Sequence, residues 1–267
     1  WSSDVCSSDL FFHSGNSFLL FASIIPLRAR IVNHCKFDGA VHFVVKSVRK
    51  CIEEGDCMRI YEYGEPNAKN VLLQPVGDHD LPAIENEIRE IKRLTAQPFR
   101  LIAVKVERWN DDLSPWCAPA VFGHEDFGDG AAALLREILP LCEDADRRYI
   151  IGGYSMAGLF ALWSAYRTDR FSGIAAASPS LWFPKFLEYM QAHDLHSAAV
   201  YLSLGNREEK TRNPVMATVG DRMRAAYALL QEKNVSCTLE WNSGGHFQQP
   251  DCRTAKAFAW VLEHLFY

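Results

Sequence analysis

Along residues 58–267, short apolar runs alternate with longer segments in which the hydrophobic residues recur every three or four positions. Short apolar runs predict buried strands, and longer segments with apolar residues three or four positions apart predict helices. In the segment 84–94, for example, Ile84, Ile88 and Ile91 share one helical face. The predicted strands are 58–63, 71–76, 99–106, the run ending at 152–153, 173–177, 198–204 and 235–241. The predicted helices are 84–94, 131–141, the segment after residue 155, 216–233 and 252–266.

Strands that alternate with helices in this way predict an α/β fold, with a mostly parallel sheet covered by helices on both faces. The chain has 267 residues, of which 48% are hydrophobic, so it is long enough and apolar enough for one sizeable α/β domain. We find no internal repeat, low-complexity tract or linker that would indicate a second domain. Residues 58–267 are therefore predicted to form a single domain.

The first 57 residues are different, because they show no clean period and no convincing capping signals. Residues 1–10 also resemble a translated sequencing-adapter fragment, and Met58 opens a clear strand pattern. We expect residues 1–57 to be a spurious or non-essential extension of the domain formed by residues 58–267.

Charge and composition narrow the function classes. The net charge is −5 and no basic stretch is dense, which argues against a nucleic-acid partner. No apolar run reaches the roughly 18 residues of a transmembrane helix, so no membrane partner is expected. The eight cysteines form no C-x-x-C pair and no zinc spacing, which indicates reduced thiols and a cytoplasmic protein. The run Asp78-His79-Asp80 is a weak metal candidate, because adjacent side chains rarely converge on one ion, and no metal is predicted.

The most informative segment reads Gly152-Gly-Tyr-Ser-Met-Ala-Gly between a predicted strand and a predicted helix. This is the pattern of a nucleophile elbow, a sharp turn that lifts a serine hydroxyl off the sheet. The elbow needs small residues two positions before and after the serine, and Gly153 and Ala157 occupy those positions. Ser155 is therefore the candidate nucleophile. The backbone N–H of Met156, at the helix start, is the candidate donor to a developing oxyanion.

A histidine and a carboxylate should complete this site in the chain order serine, acid, histidine. His246 lies on a glycine-rich loop that follows the predicted strand 235–241. The strand 198–204 ends shortly before Glu208 and Glu209, so both are candidates for the acid that orients the imidazole. Residue patterns alone do not choose between the two glutamates.

Further candidate site residues are suggested only by their place after a predicted strand. The turn after the strand 71–76 lies where an α/β-hydrolase supplies its second oxyanion N–H, so Val76 or Gly77 is expected to provide it, with Val76 preferred. Loops at the carboxyl ends of parallel strands line the ligand crevice. On that basis we expect Arg108, Trp109 and Trp182 to contact substrate, although each would also suit a packed surface loop.

Together these segments resemble the esterase family of α/β-hydrolases that includes enterochelin esterases, esterase D (S-formylglutathione hydrolase) and mycolyltransferases. The resemblance covers nearly all of the chain after Met58. It is carried by Gly152-Gly-Tyr-Ser-Met-Ala-Gly, Ala177-Ser-Pro-Ser-Leu-Trp, Tyr201-Leu-Ser-Leu-Gly-Asn-Arg-Glu and Gly244-Gly-His-Phe.

The resemblance implies an α/β-hydrolase fold, with Ser155 as nucleophile and His246 as base. It selects Glu208 as the acid, because the family's acid tends to fall three residues after a glycine at the strand end. The match is poorer at Gln74-Pro75, where relatives often have His-Gly or Asp-Gly, so the resemblance does not identify the second oxyanion donor.

We therefore expect a serine carboxyl-ester hydrolase with a Ser-His-Glu triad, an acyl-enzyme intermediate and a small-molecule ester substrate. This chemistry needs no metal or organic cofactor. Two alternatives stay open: an acyltransferase using the same residues, and a non-catalytic binding protein that keeps the fold. The sequence does not indicate the natural ester or the oligomeric state.

Overall fold

The computed structural model describes residues 30–31, 46–51 and 57–265. Nine strands in these residues form one sheet, and helices connect most of them. The strands are β1 (Arg30–Ile31), β2 (Lys46–Cys51), β3 (Cys57–Gly64), β4 (Asn70–Val76), β5 (Phe99–Lys105), β6 (Arg148–Tyr154), β7 (Phe171–Ala177), β8 (Ala199–Gly205) and β9 (Ser236–Asn242). The α-helices are α1 (Ile84–Leu94), α2 (Trp109–Asp112), α3 (Ala131–Ile138), α4 (Met156–Ser164), α5 (Phe186–Ala192), α6 (Val219–Glu232) and α7 (Pro250–His264).

Across the sheet the strand order is β1-β2-β3-β5-β4-β6-β7-β8-β9. The strands β4 to β9 all run parallel to one another, and β1, β2 and β3 add an antiparallel edge next to β5. Parallel neighbours require crossover connections, which the helices between the strands provide. The predicted mostly parallel sheet is therefore confirmed.

Helices cover both faces of this sheet, and successive strand residues point alternately to the two faces. Leu72 and Ile150 pack with α1 and α7 on one face, while Leu73 and Ile151 pack with α3, α4, α5 and α6 on the other. All four side chains are fully buried, and burial of each such side chain contributes about 1.5–3 kcal/mol of hydrophobic stabilisation. These two apolar layers hold the strand ends, and the loops that follow them, in fixed positions.

Several helices match the sequence pattern closely. The helix α1 has the predicted range, and the buried residues on its inner face include Ile84, Ile88 and Ile91. The short helices α2 and α5 were not predicted, because four and seven residues are too few to show a helical period. No helix in the described part of the chain is both long and apolar enough to cross a lipid bilayer.

The strand β2 belongs to the segment 1–57 and pairs antiparallel with β3 along its whole length, with Lys46 opposite Glu62 and Cys51 opposite Cys57. The domain boundary at Met58 stays a prediction. We expect a chain of residues 58–267 to fold and keep the activity proposed below, because β3 retains its pairing with β5. Expressing it beside a chain of residues 46–267 tests the boundary. If only the longer chain is soluble and active, β2 is part of the folding unit.

Candidate active site

Four neighbouring strands end at one edge of the sheet, and the loop after each carries a polar side chain. Ser155 follows β6, Ser178 follows β7, Glu208 follows β8 and His246 follows β9. Because these strands are parallel, their carboxyl ends meet at the same edge, where open α/β sheets form their ligand crevices. The predicted nucleophile, acid and base are thus brought to one place.

The turn between β6 and α4 has the geometry of a nucleophile elbow. Ser155 has a φ of 58°, a strained value for a residue other than glycine. A Cβ added at Gly153 would lie 2.6 Å from the Cβ of Ala157, so any residue larger than glycine at position 153 would clash. Met156 is the first residue of α4, and its N–H therefore has no acceptor within the helix. The chain therefore places the Ser155 hydroxyl next to an N–H at the start of a helix.

His246 lies between Ser155 and Glu208. Its Nε2 is 3.0 Å from Ser155 Oγ, and its Nδ1 is 2.7 Å from Glu208 Oε2. An ionised carboxylate can only accept hydrogen bonds, so we assign the ring proton to Nδ1, which leaves Nε2 as an acceptor. The Ser155 hydroxyl then donates to Nε2. This arrangement can take the proton from Ser155 when the hydroxyl attacks an electrophile.

The Glu208 carboxylate is held by several donors, and its side chain is 5% exposed. Its Oε1 accepts hydrogen bonds from Gly205 N–H at 2.7 Å, Ser178 Oγ at 2.8 Å and Arg253 Nη1 at 2.9 Å. Burial raises the pKa of this carboxyl. The hydrogen bond and the charge attraction from His246, and then the Gly205 and Ser178 donors, outweigh burial and hold the pKa below its ordinary value. Glu208 is therefore ionised at neutral pH.

Glu209, the alternative acid, points elsewhere. Its carboxylate pairs with Arg224 on α6 at 3.1 Å and is 30% exposed. The structure thus places Glu208, and not Glu209, against His246. Residues 206–209 form a turn closed by hydrogen bonds from Glu208 N–H to the Gly205 carbonyl at 3.0 Å and from Lys210 N–H to the Arg207 carbonyl at 3.1 Å. The two neighbouring side chains leave this turn in different directions, and only Glu208 reaches the imidazole.

Arg253 is a buried cation that sequence reasoning missed. It is the fourth residue of α7 and donates to Glu208, to Tyr154 Oη at 3.0 Å, and to the carbonyls of Ser243 and Gly245, both at 3.0 Å. Tyr154 Oη in turn donates to the His246 carbonyl at 2.5 Å. Arg253 therefore ties the acid to the glycine-rich loop that carries the histidine.

Tyr154 keeps its donor role over a wide pH range. Burial, and then the Glu208 charge, raise the pKa of its phenol to about 12, so the hydroxyl keeps its proton at neutral pH.

The fold of this chain is similar to that of several solved structures. No family model and no curated protein matches the chain. Among solved structures, the siderophore hydrolase EstA from Aspergillus nidulans matches with a TM-score of 0.60 and 19% identity, over 86% of this chain and 99% of that one. An IroE-like serine hydrolase from Shewanella oneidensis matches with a TM-score of 0.61 and 16% identity, over 78% of this chain and 76% of that one. The enterobactin esterase FES from Shigella flexneri matches with a TM-score of 0.60 and 18% identity, over 85% of this chain and 61% of that one.

These proteins share the architecture described above, a mostly parallel sheet with helices on both faces. The chain has the α/β-hydrolase fold. The fold class predicted from the sequence is confirmed, and the resemblance to enterochelin esterases is confirmed by the structural neighbours.

The second oxyanion donor stays a prediction. Val76 ends β4 and is fully buried, and its carbonyl accepts a hydrogen bond from Val106 N–H at 2.9 Å. The alternative donor, Gly77 N–H, is bonded to the Asp80 carboxylate at 2.8 Å within the following turn. Gly77 N–H is therefore already engaged within its own turn.

The run Asp78-His79-Asp80, a weak metal candidate in the sequence, diverges in space. The Asp78 carboxylate lies 3.4 Å from the Lys105 ammonium, whereas His79 Nε2 lies 3.4 Å from Asp80 Oδ2. Across the part of the chain that the structure describes, no group of three or more His, Cys, Asp or Glu side chains is placed to hold a metal ion.

Arg108 and Trp109 lie on the loop that follows β5. The Arg108 guanidinium is paired with Asp111 and, at 2.8 Å, with Asp112 in its own turn. The Trp109 ring contacts the His79 ring edge-on, with centroids 4.7 Å apart. Both therefore have local partners, and their contact with substrate stays a prediction.

Trp182 is 5% exposed and sits in a cluster of aromatic side chains. Its ring packs against Phe127 at 5.8 Å and edge-on against Phe122 at 5.9 Å, and Phe122 is 41% exposed. The predicted substrate contact of Trp182 is not tested by this packing. Phe122 is the member of the cluster that presents an apolar surface to solvent.

The pKa of Glu208 leads to a prediction about stability. Glu208→Gln is expected to lower the free energy of unfolding by about 3–5 kcal/mol near neutral pH, because buried Arg253 loses its anionic partner. A carboxyl with a lowered pKa stabilises the fold above its ordinary pKa of 4.5 and loses that contribution as the pH falls through its lower folded value. The difference between parent and variant should therefore shrink in acid.

Urea unfolding of both proteins over an acid-to-neutral series measures this difference. If the free energy of unfolding of Glu208→Gln stays equally far below that of the parent, or falls further below it, at pH values under the ordinary carboxyl pKa, then Glu208 is not an ionised, stabilising group.

Proposed function

We propose that this chain is a serine carboxyl-ester hydrolase acting through an acyl-enzyme. The observation that carries the proposal is the hydrogen-bonded series from Glu208 through His246 to Ser155, with distances of 2.7 and 3.0 Å. The serine sits on a strained elbow at a helix N-terminus, where an oxyanion is stabilised. The fold it shares with solved esterases and hydrolases supports the same function.

In the acylation step, Ser155 Oγ attacks the ester carbonyl carbon and transfers its proton to His246 Nε2. The electron pair of the carbonyl double bond moves to the oxygen, where Met156 N–H, and by prediction Val76 N–H, donate to it. The tetrahedral intermediate then collapses, the bond to the leaving alcohol breaks, and the alcohol oxygen takes the proton from Nε2. Glu208 stabilises the imidazolium throughout, because its anion faces Nδ1.

In the deacylation step, water takes the place of the alcohol. His246 Nε2 accepts a proton from the water as its oxygen attacks the acyl carbon. The second intermediate collapses with release of the carboxylic acid, and Ser155 Oγ takes the proton back from Nε2. The enzyme returns to its starting state without a net change in protons or electrons.

The substrate class we propose is a small-molecule carboxylic ester. Two solved neighbours are described as a siderophore hydrolase and an enterobactin esterase, which supports ester bonds in small molecules as the target. The residues described above do not select a particular acyl group. Acyl transfer to an alcohol other than water would use the same steps and is the second candidate.

A panel of p-nitrophenyl esters of increasing acyl length, assayed with and without an added alcohol, tests the proposal. Hydrolysis is expected to yield the free acid and p-nitrophenol in equal amounts. Formation of the new ester in preference to the free acid would favour an acyltransferase. No turnover of any ester would favour a binding protein with this fold.

We also propose that the enzyme works in the cytoplasm, where thiols stay reduced. Cys117, Cys142, Cys237 and Cys252 are all free thiols, which supports this location. Fractionation of the native cells, with detection by an antibody against the chain, tests it. Recovery outside the cytoplasmic fraction would overturn this part of the proposal.

A further inference from the structure

The loop that follows β7 is bound directly to the elbow. Ser155 N–H donates to the Ala177 carbonyl at 3.1 Å, and Ser180 N–H donates to the Ser155 carbonyl, also at 3.1 Å. Ser180 is 1% exposed, and its Oγ lies 3.2 Å from Ser155 Oγ. A second hydroxyl is therefore held against the nucleophilic oxygen by backbone bonds on both sides.

The donor in this pair follows from counting protons. A serine hydroxyl has one proton and two acceptor lone pairs. The proton of Ser155 is directed to His246 Nε2, because Nδ1 must carry the ring proton that faces Glu208. Ser155 can therefore only accept from Ser180, and Ser180 must be the donor.

We propose that Ser180 is a catalytic hydrogen-bond donor to the nucleophile. Its O–H stabilises the negative charge that builds on Ser155 Oγ while the proton moves to His246. A hydrogen bond strengthens when its acceptor becomes charged, so the contact favours the transition state over the resting enzyme. Ser180 keeps its own proton in every step. The same contact assists deacylation, in which Ser155 Oγ is the leaving group. This inference rests on the proposed esterase function.

A second serine of the same loop supports the inference. Ser178 is also 1% exposed and has a φ of 42°, and its Oγ donates to Glu208 at 2.8 Å. The loop thus places one buried hydroxyl on the acid and another on the nucleophile. The strained backbone at Ser178 is consistent with a segment held in place for the site.

The test measures the rate at which a fluorophosphonate probe phosphonylates Ser155, because this rate reports the reactivity of the nucleophile itself. Ser180→Ala removes the hydroxyl, and Ser180→Thr retains it. Ser164→Ala is the matched control, since Ser164 is a fully buried serine on α4 whose Oγ donates only to the Ala161 carbonyl at 2.7 Å. Rates are measured across a pH series, and each variant's thermal unfolding midpoint is recorded.

Ser180→Ala is expected to react about 10- to 100-fold more slowly, as for loss of a donor to a charged oxygen. The pH profile should keep its shape, because Ser180 bonds to neither His246 nor Glu208. Ser180→Thr should recover most of the rate, and Ser164→Ala should react as the parent does.

A parental rate for Ser180→Ala would overturn the inference and leave the esterase proposal standing. A Thr variant as slow as the Ala variant would also overturn it, because the effect would then come from packing. If the parent is neither labelled nor able to turn over esters, the proposed function fails and this inference fails with it.

Discussion

Replacing Ser155 by alanine is expected to lower kcat for p-nitrophenyl acetate by about 10⁵- to 10⁶-fold, the usual loss for a catalytic serine. The alanine has no oxygen that can form the acyl-enzyme, and the nearby Ser180 hydroxyl is not bonded to His246. The fold should be nearly unchanged, because Gly153 and Ala157 still allow the tight turn. Steady-state kinetics, together with the thermal unfolding midpoint, measure both parts of this expectation.

Ser164→Ala is the control for this substitution, because it makes the same chemical change at a buried helix position away from the site. It should keep the parental activity. A Ser155→Ala protein that retains activity within about tenfold of the parent would place the nucleophile elsewhere, because tenfold corresponds to only about 1.4 kcal/mol of barrier.

Glu208→Gln is expected to lower kcat by at least about a hundredfold, because the amide cannot stabilise the imidazolium as an anion does. Glu209→Gln should stay close to the parent, since its carboxylate pairs with Arg224 and not with His246. The two variants differ by one position in sequence and make the same chemical change. The comparison therefore isolates the contact with His246.

Both variants must be assayed well below their unfolding midpoints, because Glu208→Gln also removes a partner of buried Arg253. A large loss for Glu209→Gln with a normal Glu208→Gln would move the acid to Glu209. Two nearly normal variants would mean that Ser155 and His246 act as a dyad, without a carboxylate partner.

The elements were predictable where the pattern is local. The helix α1 was predicted with its observed range, because its apolar residues repeat at helical spacing. The strand order across the sheet was not predicted, because it depends on which crossovers place β4 between β5 and β6, and no local pattern encodes that. The short helix α5 was missed because it completes only two turns.

The sequence predicts those site residues that are marked by a local motif or by their place in the order of strands and loops. The small residues around Ser155 form a local signal, and the loops after β8 and β9 bring Glu208 and His246 to the same edge of the sheet. The choice of Glu208 over Glu209 came only from the family resemblance. Side-chain direction in a loop is set by packing, which here places Glu209 against α6.

Other residues of the site have no recognisable pattern in the sequence. Arg253 looks in the sequence like an ordinary helix residue, and its role arises only because α7 begins beside the loops that follow β8 and β9. Ser180 lies in the segment Ala177-Ser-Pro-Ser-Leu-Trp, which in the sequence carries only the family resemblance, and its contact with Ser155 Oγ arises from the folded loop. Trp182 is buried among other aromatic rings, which the sequence did not indicate, and its predicted contact with substrate stays a prediction.

Peptide mapping by mass spectrometry after treatment with a fluorophosphonate probe tests whether Ser155 is an activated nucleophile. The probe adduct is expected on the peptide that contains Ser155, in proportion to the loss of esterase activity. It should be absent from Ser155→Ala and from protein unfolded in urea before labelling, because activation requires the folded contact with His246. Loss of activity without an adduct on Ser155, or an adduct on another residue that accounts for that loss, would contradict the proposed mechanism.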